Sequence, residues 1–384
     1  MLLYTSVMPT VTHRPPILLS AELVEEAARQ FNICNACRYC EGLCAVFPAI
    51  ERRLSFLEAD VAFLANLCHD CRSCFDVCPY ATPHVFAVDI PPLMSQIREE
   101  TYEVFTVPRG FAKLTRAHLA LLLVVAAVIV VVTGAWMGVG REVFFQAQEG
   151  PGSFYRVVPF AAMVLPALFM TGFGLVAMYL GGRRFMRLVD ESAVDRPRPD
   201  LRRTIMDVLL FRNMRGGRAG CTYPDERLSQ SRRLAHSLMF YGFGSAFAST
   251  TVAAIYQDIF HLMPPYPVLS LPVVLGIVGG VMMVMACVIM FIQKAESRIS
   301  LETPKMKSMD MTFIALLFVV NLTGLVLLTL RASSLMGLLL TIHLGLVAAF
   351  FVTLPYGKFV HGIYRTLALY RNAAENENAS PIGD

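Results

Sequence analysis

Charged residues are scarce in this chain of 384 amino acids: Asp, Glu, Lys and Arg make up only 16% of it, against roughly 25% in an ordinary soluble protein. Hydrophobic residues make up 55%, and the mean hydropathy is +0.55. This balance excludes an ordinary soluble enzyme, a disordered chain and a nucleic-acid-binding protein. The first twenty residues also lack a basic segment followed by an apolar one, so we expect no cleaved signal peptide.

Six stretches contain no Asp, Glu, Lys or Arg, and each is long enough to span a bilayer, which takes about 20 apolar residues. They cover residues 118–139, 157–180, 236–257, 268–292, 311–330 and 335–357. The alternative is that one or two of them are buried core helices. Six such runs in one chain favour a membrane protein.

Basic residues concentrate on one side of these spans. Residues 181–235 carry 13 Arg against 7 acidic residues, whereas the opposite loops hold only Arg141, Arg156 and Arg331. The positive-inside rule then predicts a multi-pass protein of the bacterial inner membrane with both termini in the cytoplasm. Within the basic loop, residues 200–211 are expected to form an amphipathic helix on the inner membrane surface or an ordinary packed helix.

Cysteine is limited to ten residues, too few for a disulfide scaffold, and eight of them lie between Cys34 and Cys78. In a cytosolic segment thiols ligate metals instead of pairing. The runs CNACRYCEGLC and CHDCRSCFDVCP share the C-x2-C-x2-C-x3-C spacing of cubane [4Fe–4S] ligands, in which the fourth cysteine usually binds the other cluster. The spacing therefore predicts two clusters. Their ligands are Cys34, Cys37, Cys40 and Cys78 for the first, and Cys68, Cys71, Cys74 and Cys44 for the second.

Zinc is the alternative metal, and it is disfavoured because zinc motifs pair C-x2-C units across a longer gap. Two cysteines lie outside the runs. Cys221, in the Gly-rich segment GGRAGCTYP, is either a plain loop cysteine or a redox or interface thiol, and Cys287 is expected to pack inside a span.

Histidines within spans are candidate functional groups. His343 and His361 are 18 residues apart, so on one continuous helix they would share a face and stand about 27 Å apart, a separation that suits two stacked haems. His236 opens the third span, which runs opposite to the sixth. His236 and His361 are thus the best candidate axial pair for a b-type haem at the cytoplasmic end. His261 is the candidate partner of His343 for a second haem, but the geometry of that pair is strained. Each histidine can instead be an interfacial or structural residue.

The cysteine region has helical patterns and no alternating strand, including a capping-box pattern at residues 55–58. We therefore expect an all-α chain. Residues 1–110 would form a cytoplasmic helical domain with both clusters, and residues 111–384 a six-span membrane domain.

With these motifs the chain resembles the tricarballylate/citrate utilization protein B family, through the paired cysteine runs and the segments GGRAGCTYP (216–224), MFYGF (239–243) and LPYGKFVHGIYR (354–365). Its cysteine domain looks like the alpha-helical ferredoxin domain of succinate dehydrogenase and heterodisulfide reductase subunits. Its membrane half looks like the cytochrome b subunit of respiratory nitrate reductase. One departure is Gln257, where the resemblance leads us to expect a histidine.

The resemblance implies a membrane protein that takes electrons from a flavoprotein dehydrogenase, which oxidises tricarballylate or citrate, and passes them to the quinone pool. No G-x-G-x-x-G follows a strand and opens a helix, so flavin chemistry falls to that partner. The chain is then an oxidoreductase component with two clusters and one or two haem b groups. The alternatives are a membrane-anchored iron–sulfur sensor and a redox-regulated transporter. The apolar runs lack acidic residues and show no clear repeat, and both absences weaken the transporter hypothesis.

Overall fold

The computed structural model describes residues 18–109, 111, 117–191, 200–217, 220–224, 226–296 and 301–378. Over these residues the chain is all-helical, which confirms the predicted class, and the one departure is an isolated bridge between Cys221 and Ser229. The α-helices are α1 (Ala21–Cys37), α2 (Val46–Glu51), α3 (Glu58–Leu67), α4 (Ser73–Asp76), α5 (Ile90–Phe105), α6 (Ala117–Phe144), α7 (Ser153–Val157), α8 (Phe160–Glu191), α9 (Leu201–Leu209), α10 (Ser231–Asp258), α11 (Leu271–Glu296), α12 (Pro304–Leu330), α13 (Met336–Thr353) and α14 (Val360–Asn378).

Helices α1 to α5 form the N-terminal domain around α3. Nearly all of α3 is buried, from Ala59 to Leu67, as the central helix of a small helical domain requires. The predicted cap is wrong in detail, because Leu57 and not Ser55 precedes the helix. The Leu57 N–H donates to the Asp60 carboxylate over 3.1 Å, and this anion also suits the positive end of the helix.

Six of the helices are long and apolar enough to cross a membrane, as predicted: α6, α8, α10, α11, α12 and α13. Helices α10 and α11 pack closely through Gly242 and Gly279. A Cβ on Gly279 would lie 2.6 Å from the Ala246 backbone nitrogen, so this crossing needs glycine. Gly242 belongs to MFYGF, and its role in that segment is thus to permit close helix packing.

The basic loop contains α9, whose N-cap Asp200 accepts a hydrogen bond from the Arg203 backbone N–H over 2.9 Å. Leu201 and Ile205 are exposed, whereas Thr204 is buried. An uncovered apolar face on a helix with a charged opposite face is typical of helices that lie on a membrane surface.

The last span is shorter than predicted. Helix α13 ends at Thr353, two residues before Pro355, and α14 starts afresh at Val360. Proline lacks the N–H that would continue the helix, and it disfavours helical backbone in the residue before it. The expectation that His343 and His361 share a face of one continuous helix is therefore wrong, because the two residues lie on separate helices.

The N-terminal domain and the membrane domain share one buried core. Tyr364 of α14 stacks on Tyr102 of α5, with ring centroids 5.6 Å apart, and lies 5.5 Å from the ring of Phe185 in α8. At the far end of α14, Glu375 accepts a hydrogen bond from Arg53 over 2.8 Å. The last described helix thus fastens the first domain to the spans.

The Arg53–Glu375 ion pair is expected to stabilise this docking. Replacing Glu375 by glutamine should lower the free energy of unfolding in detergent by about 1–3 kcal/mol, because it leaves a buried guanidinium short of an acceptor. Burial raises the pKa of Glu375, but Arg53 and Arg52 outweigh it and lower the pKa. The wild-type contribution should therefore be complete above the unfolded pKa of about 4.3 and be lost as the pH falls through the lower folded pKa. Glu26→Gln, which breaks an exposed pair with Arg29, is the matched control, and an equal loss in both variants would contradict the role of Glu375.

Candidate metal centre

The first cysteine run begins at the end of α1. Arg38 takes the left-handed conformation (φ 57°), and its N–H donates to the Cys34 carbonyl over 2.9 Å, which ends the helix. The chain then turns so that Cys40 comes back towards Cys34. Burial, together with the neighbouring Cys40, Cys78 and Cys37, raises the pKa of the Cys34 thiol to about 12. The four thiols assigned to the first cluster thus lie together, although Cys78 comes from the second run.

The second set gathers around the tight turn after α3. Cys44, Cys68, Cys71 and Cys74 line one small cavity. Asp70 and Arg72 are both left-handed, with φ of 53° and 65°, an uncommon conformation for residues other than glycine that winds the turn around this cavity. Burial raises the pKa of the Cys74 thiol, as do its neighbours Cys71, Cys68 and Cys44.

Among the described residues no three His, Cys, Asp or Glu side chains converge closely enough to hold a single metal ion. A cubane cluster makes a different demand, because each of its four thiolates binds a different iron. Each set offers four thiols, of which Cys40 and Cys71 are buried and the others half-buried, and this number is the one that a cubane cluster needs.

Three arginines from three helices hold the turn of the second set. Arg98 of α5 donates to the carbonyl of Cys68 over 3.4 Å, and Arg365 of α14 donates to the same carbonyl over 2.6 Å. Arg232 of α10 donates to the Asp70 carbonyl. Burial raises the pKa of Asp70, but the charges of Arg98, Arg232 and Arg72 outweigh it and lower the pKa. These cations would stabilise the negative charge of a thiolate-bound cluster.

The Gly-rich segment closes over the same set. The Gly217 N–H donates to the Leu43 carbonyl over 3.0 Å, beside Cys44. Cys221, which the sequence left between a plain loop cysteine and a redox or interface thiol, is buried; its thiol donates to the Met214 carbonyl over 3.6 Å, and it lies beside Cys71. Sequence spacing gave no signal for this contact, which joins residues 150 positions apart in the chain.

The candidate haem histidines meet near the N-terminal ends of two helices. The rings of His236 (α10) and His361 (α14) lie 6.1 Å apart at 87°. Both line a cavity of about 140 Å³, the polar cavity, which His69 and Asp70 of the second cysteine set also line. The Nδ1 of His361 faces the Lys358 carbonyl at 2.5 Å, and burial lowers the pKa of this histidine. The polar cavity therefore connects the cysteine centre to the histidine pair.

A buried ion network also lines the polar cavity. Asp310 lies 2.8 Å from Lys294 and 2.7 Å from Lys358, and Lys294 also binds Glu302 over 2.7 Å. Sequence reasoning missed this network, because Asp310 stands just before a charge-free run. Its partners are Lys294 of α11 and Lys358 of the turn before α14, and nothing in their local sequence indicates the pairing.

His343 lies apart from the pair. Its Nδ1 is 3.1 Å from the Thr323 hydroxyl, and the ring faces an apolar cavity of about 440 Å³. His261, its possible partner, is exposed beyond the end of α10 and does not line that cavity. Gln257 accepts a hydrogen bond from Tyr155. The described residues therefore do not bring a second histidine to His343.

Over most of its length the chain is similar to known proteins. Residues 27–103 match the family model for the citrate utilization protein B Fer4-like domain, and residues 112–382 match that for citrate utilization protein B. Citrate utilization protein B of Escherichia coli is 37% identical over 363 residues, which cover 93% of this chain and 94% of that protein. No solved structure matches the chain. The chain, with its Fer4-like domain and six apolar helices, belongs to the citrate utilization protein B family.

Proposed function

We propose that this protein is a membrane-bound electron-transfer component that takes electrons from a partner flavoprotein through two [4Fe–4S] clusters, with a haem b, to the quinone pool. The observation that carries the proposal is the polar cavity, because it is lined both by the turn of the second cysteine set and by His236 and His361. A relay requires its centres to lie close together across the domain boundary, and this arrangement meets that requirement.

The two cysteine sets differ in their surroundings, which gives the relay a direction. Near the first set, Tyr39 and Val77 are 69% and 41% exposed beside Cys40 and Cys78. The second set is enclosed by arginines of α5, α10 and α14. We therefore place the flavoprotein at the first set and the exit towards the membrane at the second.

The surroundings of the histidine pair fit a haem. A metal–imidazole bond is about 2 Å, so two imidazoles on opposite sides of one iron have centroids about 6 Å apart, close to the 6.1 Å observed. The Nδ1 of His236 is buried without a hydrogen-bond partner among the described residues. Arg98, Arg232 and Arg365 line the polar cavity, and such cations suit the propionate groups of a haem. The cavity is smaller than a haem, which would displace the flexible side chains of Met239 and Met290.

His236 and His361 would hold a haem b, which would supply one-electron transfer there. The chain's own residues orient the ligands. The Lys358 carbonyl faces Nδ1 of His361, and accepting its proton would direct Nε2 of that ring towards the iron. Lys358 is itself held by Asp310, so the buried ion network positions His361.

An anaerobic preparation tests the function directly. The purified protein should contain about eight irons with acid-labile sulfide, and its reduced-minus-oxidised spectrum should show the α-band of a b-type haem. Adding a reduced tricarballylate- or citrate-type flavoprotein should reduce the clusters and then added quinone. Clusters that stay reduced without quinone turnover would instead indicate a sensor. A protein that contains zinc and no acid-labile sulfide would overturn both the electron-transfer and the sensor hypotheses.

The topology is part of the same proposal, because a cytoplasmic flavoprotein must reach the first cysteine set. Reporter fusions after residue 378 should be active only in the cytoplasm, and fusions within residues 259–270 only outside it. The same orientation for both fusions would contradict the six-span arrangement.

A further inference from the structure

The cavity of about 440 Å³ that His343 faces, here named the apolar cavity, lies among the apolar helices. Helices α10 to α13 supply most of its walls, largely as aliphatic and aromatic side chains. Its volume falls within the range of about 300–1,000 Å³ that is typical of small-molecule sites. Phe247 and Thr250 of α10 line the cavity and are also exposed on the outside of this helix. An apolar ligand can therefore enter from the bilayer.

Few polar side chains line the apolar cavity, and most have already used their proton. Apart from Arg331, which follows α12, the hydroxyl groups of Ser249, Thr250 and Tyr266 each donate their single proton to a backbone carbonyl, over 2.6, 3.3 and 3.0 Å. Asn321 also lines the cavity. Its amide carries two protons, and only one of them is donated, to the Leu317 carbonyl over 2.7 Å. Asn321 thus keeps a donor for a ligand.

His343 is the other polar side chain that is free to bind a ligand. Its Nδ1 lies 3.1 Å from the Thr323 hydroxyl, which leaves Nε2 for the cavity. The Thr323 proton also has the Val319 and Val320 carbonyls within reach, at 2.8 and 3.0 Å. When this proton goes to Nδ1, Nε2 carries the ring proton and donates; when it goes to a carbonyl, Nε2 accepts. The same ring nitrogen can therefore bind either a carbonyl oxygen or a hydroxyl group.

Two aromatic rings join the apolar cavity to the polar cavity. Phe313 lines the polar cavity, and Phe350 lines the apolar one. Their ring centroids are 6.3 Å apart, and Phe243, which also lines the apolar cavity, lies 6.0 Å from Phe350. A ligand of the apolar cavity is thus close to the redox centre that we place in the polar cavity.

We propose that the apolar cavity is the quinone site of this protein, in which the carbonyl oxygens of the quinone accept hydrogen bonds from His343 and Asn321. A quinone has a flat apolar ring, two acceptor oxygens and no donor, and this cavity offers apolar walls with two donors. Its isoprenoid tail reaches the bilayer past Phe247. The proposal rests on the proposed function, which supplies the electrons.

The reduction of the bound quinone balances without a further reactant. The ring takes two electrons from the partner flavoprotein and two protons from water, and its two carbonyl groups become two hydroxyl groups. No bond to the protein forms or breaks. Nε2 of His343, which donates to the carbonyl oxygen before the reaction, can accept from the hydroxyl group after it, since the Thr323 proton has more than one acceptor.

Equilibrium dialysis of the oxidised full-length protein in detergent tests the site without electron transfer. The probes are a ubiquinone with a single isoprenoid unit and the naphthoquinone menadione. His343→Leu and Asn321→Leu should each raise the dissociation constant about three- to tenfold, as the loss of one hydrogen bond predicts. His343→Gln keeps an N–H donor and should restore most of the affinity. Thr329→Val, which removes an exposed hydroxyl of α12 outside the cavity, should bind like the wild type.

Quinone reduction by the reduced flavoprotein separates this proposal from the proposed function. Wild-type protein that reduces no quinone would sink the proposed function. Wild-type protein that reduces quinone, beside unchanged affinity in both leucine variants, would overturn only the site. Two haem b groups in the wild type, with one lost in His343→Leu, would make the cavity a haem site and also overturn it. If His343→Leu does not fold, weaker binding by Asn321→Leu than by Thr329→Val supports the site, and equal binding by those two variants contradicts it.

Discussion

Replacing Cys78 by alanine is expected to remove the cluster held by Cys34, Cys37 and Cys40, and not the cluster held by the three cysteines that precede it in its own run. The reason is the grouping of the thiols, in which Cys78 is a neighbour of Cys34 and Cys40. The iron content should fall from about eight to about four per chain. The remaining EPR signal should match that of Cys37→Ala.

Cys44→Ala provides the reciprocal test, because Cys44 lies with Cys68, Cys71 and Cys74. Its remaining EPR signal should match that of Cys71→Ala. Cys287→Ala should retain both clusters. If Cys78→Ala instead gives the same spectrum as Cys71→Ala, each run holds its own cluster and the crossed assignment is wrong.

Replacing His361 by alanine is expected to abolish the α-band of the bound haem and to reduce quinone reduction to the background rate. The iron–sulfur clusters should still accept electrons from the flavoprotein, because His361 belongs to the polar cavity and not to either set of thiols. Optical spectra and EPR of the same sample separate the two effects.

His261→Ala is the control for this variant, since His261 is exposed beyond the end of α10. His343→Ala measures whether a second haem exists, because it should leave the spectrum unchanged if only the His236–His361 pair binds haem. A wild-type protein that reduces quinone without an α-band would make the histidines structural. The clusters would then deliver electrons directly to a quinone at the inner surface.

Local sequence patterns predicted much of this architecture. Six charge-free runs predicted the six apolar helices, whereas the assignment of the cysteines to two clusters stays a prediction. The opposite directions of the third and sixth spans predicted that His236 and His361 lie at the same end, and their rings are 6.1 Å apart. These features succeed because each depends on short-range spacing or on the alternation of spans.

The features that escaped prediction depend on contacts between distant segments. Helix α14 has a mixed composition, since it packs on a protein domain rather than on lipid, and its pattern gave no clear signal. The contact of Cys221 with Cys71 and the pairing of Asp310 with Lys294 and Lys358 each join segments that only the tertiary fold brings together. No periodicity in one segment can reveal such contacts.

The docking of the N-terminal domain on α14 has a consequence for biosynthesis. A ribosome makes the chain from its N-terminus, so the cysteine domain emerges before any span, whereas α14 emerges after all six. The ring stack of Tyr102 on Tyr364 and the hydrogen bond from Arg53 to Glu375 therefore form only after α14 has been made. Until then the turn after Cys68 also lacks Arg365. The second set of thiols is thus fully covered only after all six apolar helices have been made, and a chain that stalls before α14 leaves it without its final covering.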